Sequence, residues 1–205
     1  MVNGSEPEPL RESRFSCTRP STSQGMGESA GDGDLSLTMN LYSKARLSFV
    51  MQHAKEVARQ RRVRIEDLQS LDLLHYSGMS AVKSFVEEQS KSWLSFPMRL
   101  LDVGAGIGGP ARFLASHFDL AVITAVEYIP EQARVLSELN ELCLLTDRIN
   151  VVCADFLEIE FHAEKHGLLV SQLSFLHMAN KSLLFKKCNE SLNESGSMFV
   201  EDFYA

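Results

Sequence analysis

The stretch "LLDVGAGIGGPARFLASHF", Leu100 to Phe118, decides the fold. It passes from a short apolar run into glycines at 104, 106 and 109, spaced G-x-G-x-x-G, and then into a helical pattern. A strand, a tight turn and a helix in that order open a βαβ unit. Gly104 and Gly106 let the backbone turn sharply and approach a ligand with no Cβ in the way. The helix that starts near Gly109 presents free N–H groups to an anion, and Pro110 near its start loses nothing by lacking one. Asp102, at the end of the strand, complicates that anion site. A carboxylate there opposes a pyrophosphate and favours a cation.

Outward from this unit the rhythm repeats. "RLLDVG", "AVITAVE", "INVVCAD", a segment within "GLLVSQLSFLHM" and "SMFVEDFYA" read as five strands. "GPARFLASHF", "IPEQARVLSELNELCLL" (opened by Pro130) and "NKSLLFKKCNESLNES" read as helices, the last breaking at Gly196. The alternation predicts an α/β fold, a doubly wound and mostly parallel sheet with helices on both faces. In such a sheet a ligand binds outside the carboxyl ends of the strands, where the strand order reverses. Three further sets of polar residues fall at those ends. Glu127, followed by Tyr128, ends the second strand, where a carboxylate can take both ribose hydroxyls. Asp155 and Phe156 end the third and suit an adenine amino group and ring face. Ser171 and Gln172 end the fourth, beneath the same ligand. S-adenosylmethionine carries a sulfonium and an ammonium and no phosphate, so Asp102 favours it over a nicotinamide dinucleotide.

The rest of the chain is a tail and a cap. Residues 1–36 are rich in Ser, Gly, Pro and Glu, and "STSQGMGESAGDGD" cannot bury enough surface to offset its ordering entropy, so a disordered tail is expected. Residues 37–97 read as a helical cap. "YSKARLSFVMQHAKEVARQRR" places Leu47, Val50, Met51, Ala54 and Val57 on one face, and "MSAVKSFVEEQSKSW" turns Ala81, Val82, Phe85 and Val86 inward. Residues 98–205 form the ligand-binding domain. The 205 residues carry a formal net charge of -7, which argues against general nucleic-acid binding. The four cysteines, at 17, 143, 153 and 188, form no C-x-x-C pair, so neither a zinc site nor any other metal is expected. No apolar run approaches the ~20 residues of a membrane span. No secretory leader is seen, and a cytoplasmic location is expected.

These motifs resemble the class I S-adenosylmethionine-dependent methyltransferases over roughly residues 70 to 205. "LLDVGAGIGG" is similar to that family's glycine motif, Val126-Glu127 to its acidic ribose site and "CADF" to its adenine site. The resemblance implies a Rossmann-like domain, with Asp102, Gly104, Ala105 and Gly106 at the methionine end of the cofactor. It implies Glu127 with Tyr128 at the ribose, and Asp155 with Phe156 at the adenine. "HYSGMSAVKSFVEE" is similar to family members acting on glycine-derived amines, phosphoethanolamine, or quinone and tocopherol precursors, which places His75 and Tyr76 over the methyl end. "SQLSFLHM" resembles their segment after the fourth strand and puts His177 on the acceptor side, as a base or substrate contact. The phosphoethanolamine branch usually has an acidic residue where Leu173 stands, which argues against a choline-pathway substrate. The family sheet has seven strands, so five imply an incomplete, C-terminally truncated domain. His162 and His166 read as solvent-facing loop residues, and Trp93 as core.

Three functions compete on these grounds. One is methyl transfer to a small-molecule acceptor, an amine or a phenol. The second is a nicotinamide-dependent oxidoreductase with the same glycine spacing. The third is a non-catalytic module on a shortened methyltransferase fold. The acceptor and the oligomeric state are left open by the sequence.

Overall fold

The computed structural model of the chain describes residues 43–72, 80–93, 98–119, 121–161 and 165–203, with the side chains of 89–93 left aside. The expected tail at 1–36, His75, Tyr76, His162 and the Trp93 side chain lie outside the described residues. The cap supplies α1 (Lys44–Gln60), α2 (Ile65–Asp72) and α3 (Ser80–Trp93). The domain follows as β1 (Arg99–Val103), α4 (Gly109–His117), β2 (Val122–Glu127), α5 (Pro130–Leu142), β3 (Ile149–Cys153), β4 (His166–Gln172), a 3-10 turn (Phe175–His177), α6 (Lys181–Ser191) and β5 (Leu192–Glu201).

The five strands pair in the order β3-β2-β1-β4-β5, every pair parallel. The chain winds outward through β1, β2 and β3, then crosses back to lay β4 on the other side of β1. The switch point therefore lies between β1 and β4, over the loop that follows Val103. Side chains alternate across the sheet, so consecutive residues feed opposite layers. Leu100 and Leu168 enter one core with Leu114, Leu136 and Leu139 of α4 and α5. Leu101 and Leu169 enter the other, with Phe175 and with Leu184 and Cys188 of α6.

The cap helices join the first core. Ser43 caps α1, its Oγ accepting the Arg46 N–H at 3.3 Å. Leu47, Val50, Met51 and Ala54 are buried, as the periodicity predicted, with Val57 partly so. Each large apolar side chain so buried contributes about 2 kcal/mol.

Two readings are corrected. The helix after Asn180 ends at Ser191 rather than at Gly196, and Gly196 lies inside β5. "ESG" reads as a turn because its residues break helices, but here they accommodate a register shift. His166 pairs with Leu192 and Leu168 with Ser197, so β5 bulges between the two pairs. His166 is not on a solvent-facing loop. It is the first residue of β4, buried, with Nδ1 3.0 Å from the Ser191 carbonyl oxygen and its ring edge-on to Phe161.

Candidate functional site

A cavity of about 640 Å³ runs across the carboxyl ends of β3, β2, β1 and β4. That volume falls within the range of small-molecule and cofactor sites. Its walls include Asp102, Gly104, Ala105, Gly106, Glu127 and Tyr128, and also Asp155, Phe156, Gln172 and His177. Strand ends from Asp102 to Gln172, 70 residues apart in sequence, meet here because every strand points the same way.

The glycine loop is built around its acids. The N–H groups of Gly104 and Ala105 both donate to the Val126 carbonyl, at 2.9 and 3.0 Å, which hangs the loop from β2. Gly104, Gly106 and Gly108 adopt φ of 73°, 57° and 89°. At Gly104 a Cβ would also lie 1.9 Å from Ser174 Oγ, so the two segments approach as closely as glycine allows. Glu127 is buried, and its two carboxylate oxygens accept the N–H groups of Gly106 and Ile129, each at 2.8 Å. It closes the loop from one side while each oxygen keeps a second lone pair for a ligand hydroxyl. Burial pushes its pKa up to about 7, against the pull of those N–H donors.

Asp102 answers the question raised by the glycine spacing. It is fully buried, and it accepts the N–H of Ala111 in the first turn of α4. The positive end of α4, which would hold a phosphate in a dinucleotide site, thus faces the chain's own carboxylate. Burial, reinforced by the nearby Glu127, raises Asp102 to about 7. Its Oδ2 is buried without a hydrogen-bond partner. A cation in the cavity would meet that oxygen and favour its ionised form.

The remaining predicted residues separate. Asp155 Oδ1 accepts the Leu157 N–H at 2.9 Å, which shapes the turn after β3, and the Phe156 ring is buried in the second core at the edge of the cavity. Ser171 does not line the cavity. Its Oγ donates to the Val103 carbonyl at 2.9 Å and ties β4 to the end of β1. Gln172, on the opposite side of the strand, does line it, with Nε2 donating to Glu201. His177 lies exposed in the 3-10 turn at the rim.

The structure adds a feature that sequence reasoning missed. Arg112, fully buried in α4, lies under the glycine loop. It donates to Asp72 Oδ2 and to the Ile107 carbonyl, both at 2.7 Å, and to Asn140 Oδ1 at 3.1 Å. Asp72 is the last residue of α2 and itself lines the cavity. One guanidinium therefore joins the cap, the loop and α5. The signal available beforehand was an arginine inside "PARFLA", a run of otherwise apolar residues; a charge on a helix buried all round needs a partner. Ser174 was missed too, since its contact with Gly104 spans 70 residues.

Among known proteins, the model of a methyltransferase domain matches residues 101–200. The chain is 29% identical over 129 residues to a sarcosine/dimethylglycine N-methyltransferase of Aphanothece halophytica, covering 62% of this chain and 45% of that protein. It is 34% identical over 89 residues to the chloroplastic tocopherol O-methyltransferase of Arabidopsis thaliana, covering 43% and 25%. A solved structure from Galdieria sulphuraria, described as a sarcosine dimethylglycine methyltransferase, superposes with a TM-score of 0.56 at 30% identity, over 62% of this chain and 48% of that one. The chain spans about half the length, or less, of the curated relatives it matches. These likenesses favour the methyltransferase reading over the nicotinamide one.

Proposed function

Residues 101–200 belong to the methyltransferase domain family, of the class I S-adenosylmethionine-dependent type, and on that premise we propose that the protein transfers a methyl group from S-adenosylmethionine to a small-molecule acceptor. The observation that carries the reading is Asp102 on the first turn of α4. It fills the anion site of the glycine loop from within and leaves one buried oxygen for a cation. The residues present fit the cofactor: a carboxylate for the ammonium and sulfonium end, Glu127 for the ribose hydroxyls, and Asp155 with Phe156 for the adenine. Gly104, Ala105 and Gly106 form the floor, and Tyr128 closes the ribose side.

The cofactor supplies a methyl group made electrophilic by the sulfonium. The protein's contribution is to hold the acceptor atom in line with the sulfur–methyl bond, which can supply roughly 7–11 kcal/mol at best. The acceptor must arrive over β4, because the β2 and β3 ends are taken by the nucleoside. His177 stands on that side, and its ring nitrogen can take the proton the acceptor loses. His75 and Tyr76 belong with it as methyl-end candidates on the family resemblance. No helix among the described residues is long and apolar enough to cross a membrane, and the net charge of -7 supports a small molecule rather than nucleic acid as partner. A cytoplasmic location fits both.

Calorimetry with S-adenosylhomocysteine and with NADH tests the cofactor, and transfer of labelled methyl to amines, phenols and quinone precursors tests the activity. Binding of S-adenosylhomocysteine alone is expected. Binding of NADH without it would overturn the proposal, and cofactor binding with no transfer to any acceptor would favour the non-catalytic module.

A further inference from the structure

We propose that the acceptor is a neutral molecule with an apolar body and a single hydroxyl or N–H donor, not an ammonium, a phosphate ester or a carboxylate. The inference rests on the methyltransferase reading and concerns the β4 end of the same cavity.

The acids of the cavity are gathered at one end. Glu127 and Asp155 stand over β2 and β3, Asp102 under the glycine loop, and Asp72 is held by Arg112. The acceptor end is the segment Gln172–Asn180 that follows β4. It contributes Leu173, Ser174, Met178 and Ala179 to the wall and no carboxylate. No lysine or arginine lines the cavity among the described residues. Lys181, the nearest cation in sequence, donates its Nζ to the carbonyls of Phe175 and Met178. Glu201 and Asp202, the nearest acids, are engaged by Gln172 and by the Leu176 N–H. An anionic acceptor would leave water for a wall with no counter-charge, which is costly. Among the described residues an ammonium would find there neither a carboxylate nor a cage of aromatic faces, since Tyr128 and Phe156 lie at the nucleoside end and His177 stands alone at the rim.

The wall does offer one defined acceptor. Glu201 can only accept, so its bond fixes the Gln172 amide with Nε2 toward it. That leaves Gln172 Oε1, buried and without a partner, to receive an O–H or N–H. Leu173 sets the turn, at φ 51° with its N–H on the Glu201 carbonyl at 2.8 Å, a left-handed conformation rare for leucine. In the transfer, the acceptor oxygen or nitrogen forms its bond to the methyl carbon, and the sulfur–carbon bond breaks with its electron pair on sulfur. The acceptor's proton, held until then in the hydrogen bond to Gln172 Oε1, becomes strongly acidic once the new bond forms and leaves that amide, which cannot keep it, for the His177 ring at the rim.

The test uses the full chain saturated with S-adenosylhomocysteine and four matched probes: 4-hexylphenol, its phosphate ester, hexylammonium, and 4-hexylanisole, which lacks the donor. Dissociation constants are read by calorimetry. The phenol is expected to bind at least tenfold more tightly than the phosphate or the ammonium, and about tenfold more tightly than the anisole. Equal or tighter binding of either charged probe would overturn the neutral class, and equal binding of the anisole would overturn the role of Gln172. Failure of S-adenosylhomocysteine itself to bind would overturn the parent reading and this inference with it.

Discussion

Replacing Arg112 by Met removes the charge that joins cap, loop and α5 while keeping most of the side-chain volume. The Asp72 carboxylate is then left buried without its guanidinium, and breaking such a pair from one side costs about 3–5 kcal/mol. The Ile107 carbonyl and Asn140 Oδ1 each lose a donor, at about 1 kcal/mol apiece. A total of about 5–7 kcal/mol, with a urea slope of about 2 kcal/mol per molar, lowers the unfolding midpoint by ~2.5–3.5 M. Removing both charges, as Asp72→Asn with Arg112→Met, leaves no uncompensated ion, and the double variant is expected to recover ~2–3 kcal/mol over the sum of the single losses. A second readout separates positioning from bulk stability. Arg112 also holds the Asp102 pKa down, so Arg112→Lys, which restores the charge without the planar fork, should fold but bind S-adenosylhomocysteine more weakly. The assay is urea unfolding followed by circular dichroism at pH 7, with calorimetry on the variants that fold. A midpoint shift under ~0.5 M for Arg112→Met, or strict additivity in the double variant, would refute the reasoning.

Three further outcomes follow from the site. Gly104→Ala should abolish cofactor binding, because its Cβ meets Ser174 at φ 73°; adding Ser174→Gly should restore part of it, and no restoration in calorimetry would place the defect in the backbone alone. Asp102 and Glu127 both have pKa values raised in the fold to about 7, so their contribution to stability is greatest below ~4 and is lost as pH rises toward 7. Unliganded protein should therefore unfold more readily at pH 8 than at pH 5, by about 2.6 kcal/mol if Asp102 acts alone, and Asp102→Asn should flatten that dependence in melts across the range. Cofactor binding near pH 6.5 should release a fraction of a proton, read from calorimetry in buffers of different ionisation enthalpy; uptake instead would contradict a cation meeting Asp102.

The parts of the site legible in the sequence are those that parallel topology makes collinear. Glu127, Asp155 and Gln172 could be placed in one crevice without coordinates because each ends a strand and all strands point the same way. Ser171 could not be separated from Gln172 by that argument: neighbours on a strand face opposite ways, and only packing decided that Ser171 turns to Val103. Arg112 and Asp72 are paired across 40 residues and two helices, a contact that no local pattern encodes. His166 was misread because charged residues precede it and a glycine follows, a loop-like setting, although it starts β4. The bulge before Ser197 was misread for a related reason, since "NESG" has the composition of a turn whether or not the strand continues past it.

The discrimination first assigned to Asp102 as a simple negative charge works differently once its surroundings are known. Burial raises the Asp102 carboxyl to about 7, so near neutral pH the unliganded loop presents a partial rather than a full negative charge. A cation arriving beside Oδ2 displaces the proton and finds a carboxylate already held by the Ala111 N–H, with Oδ2 itself unpartnered. A diphosphate gains nothing from the same exchange, because the helix terminus it needs is already committed to Asp102 and deprotonation would add repulsion. The glycines give the loop its shape, which either ligand can use. The aspartate that caps α4 from inside the sheet determines which of the two the loop favours.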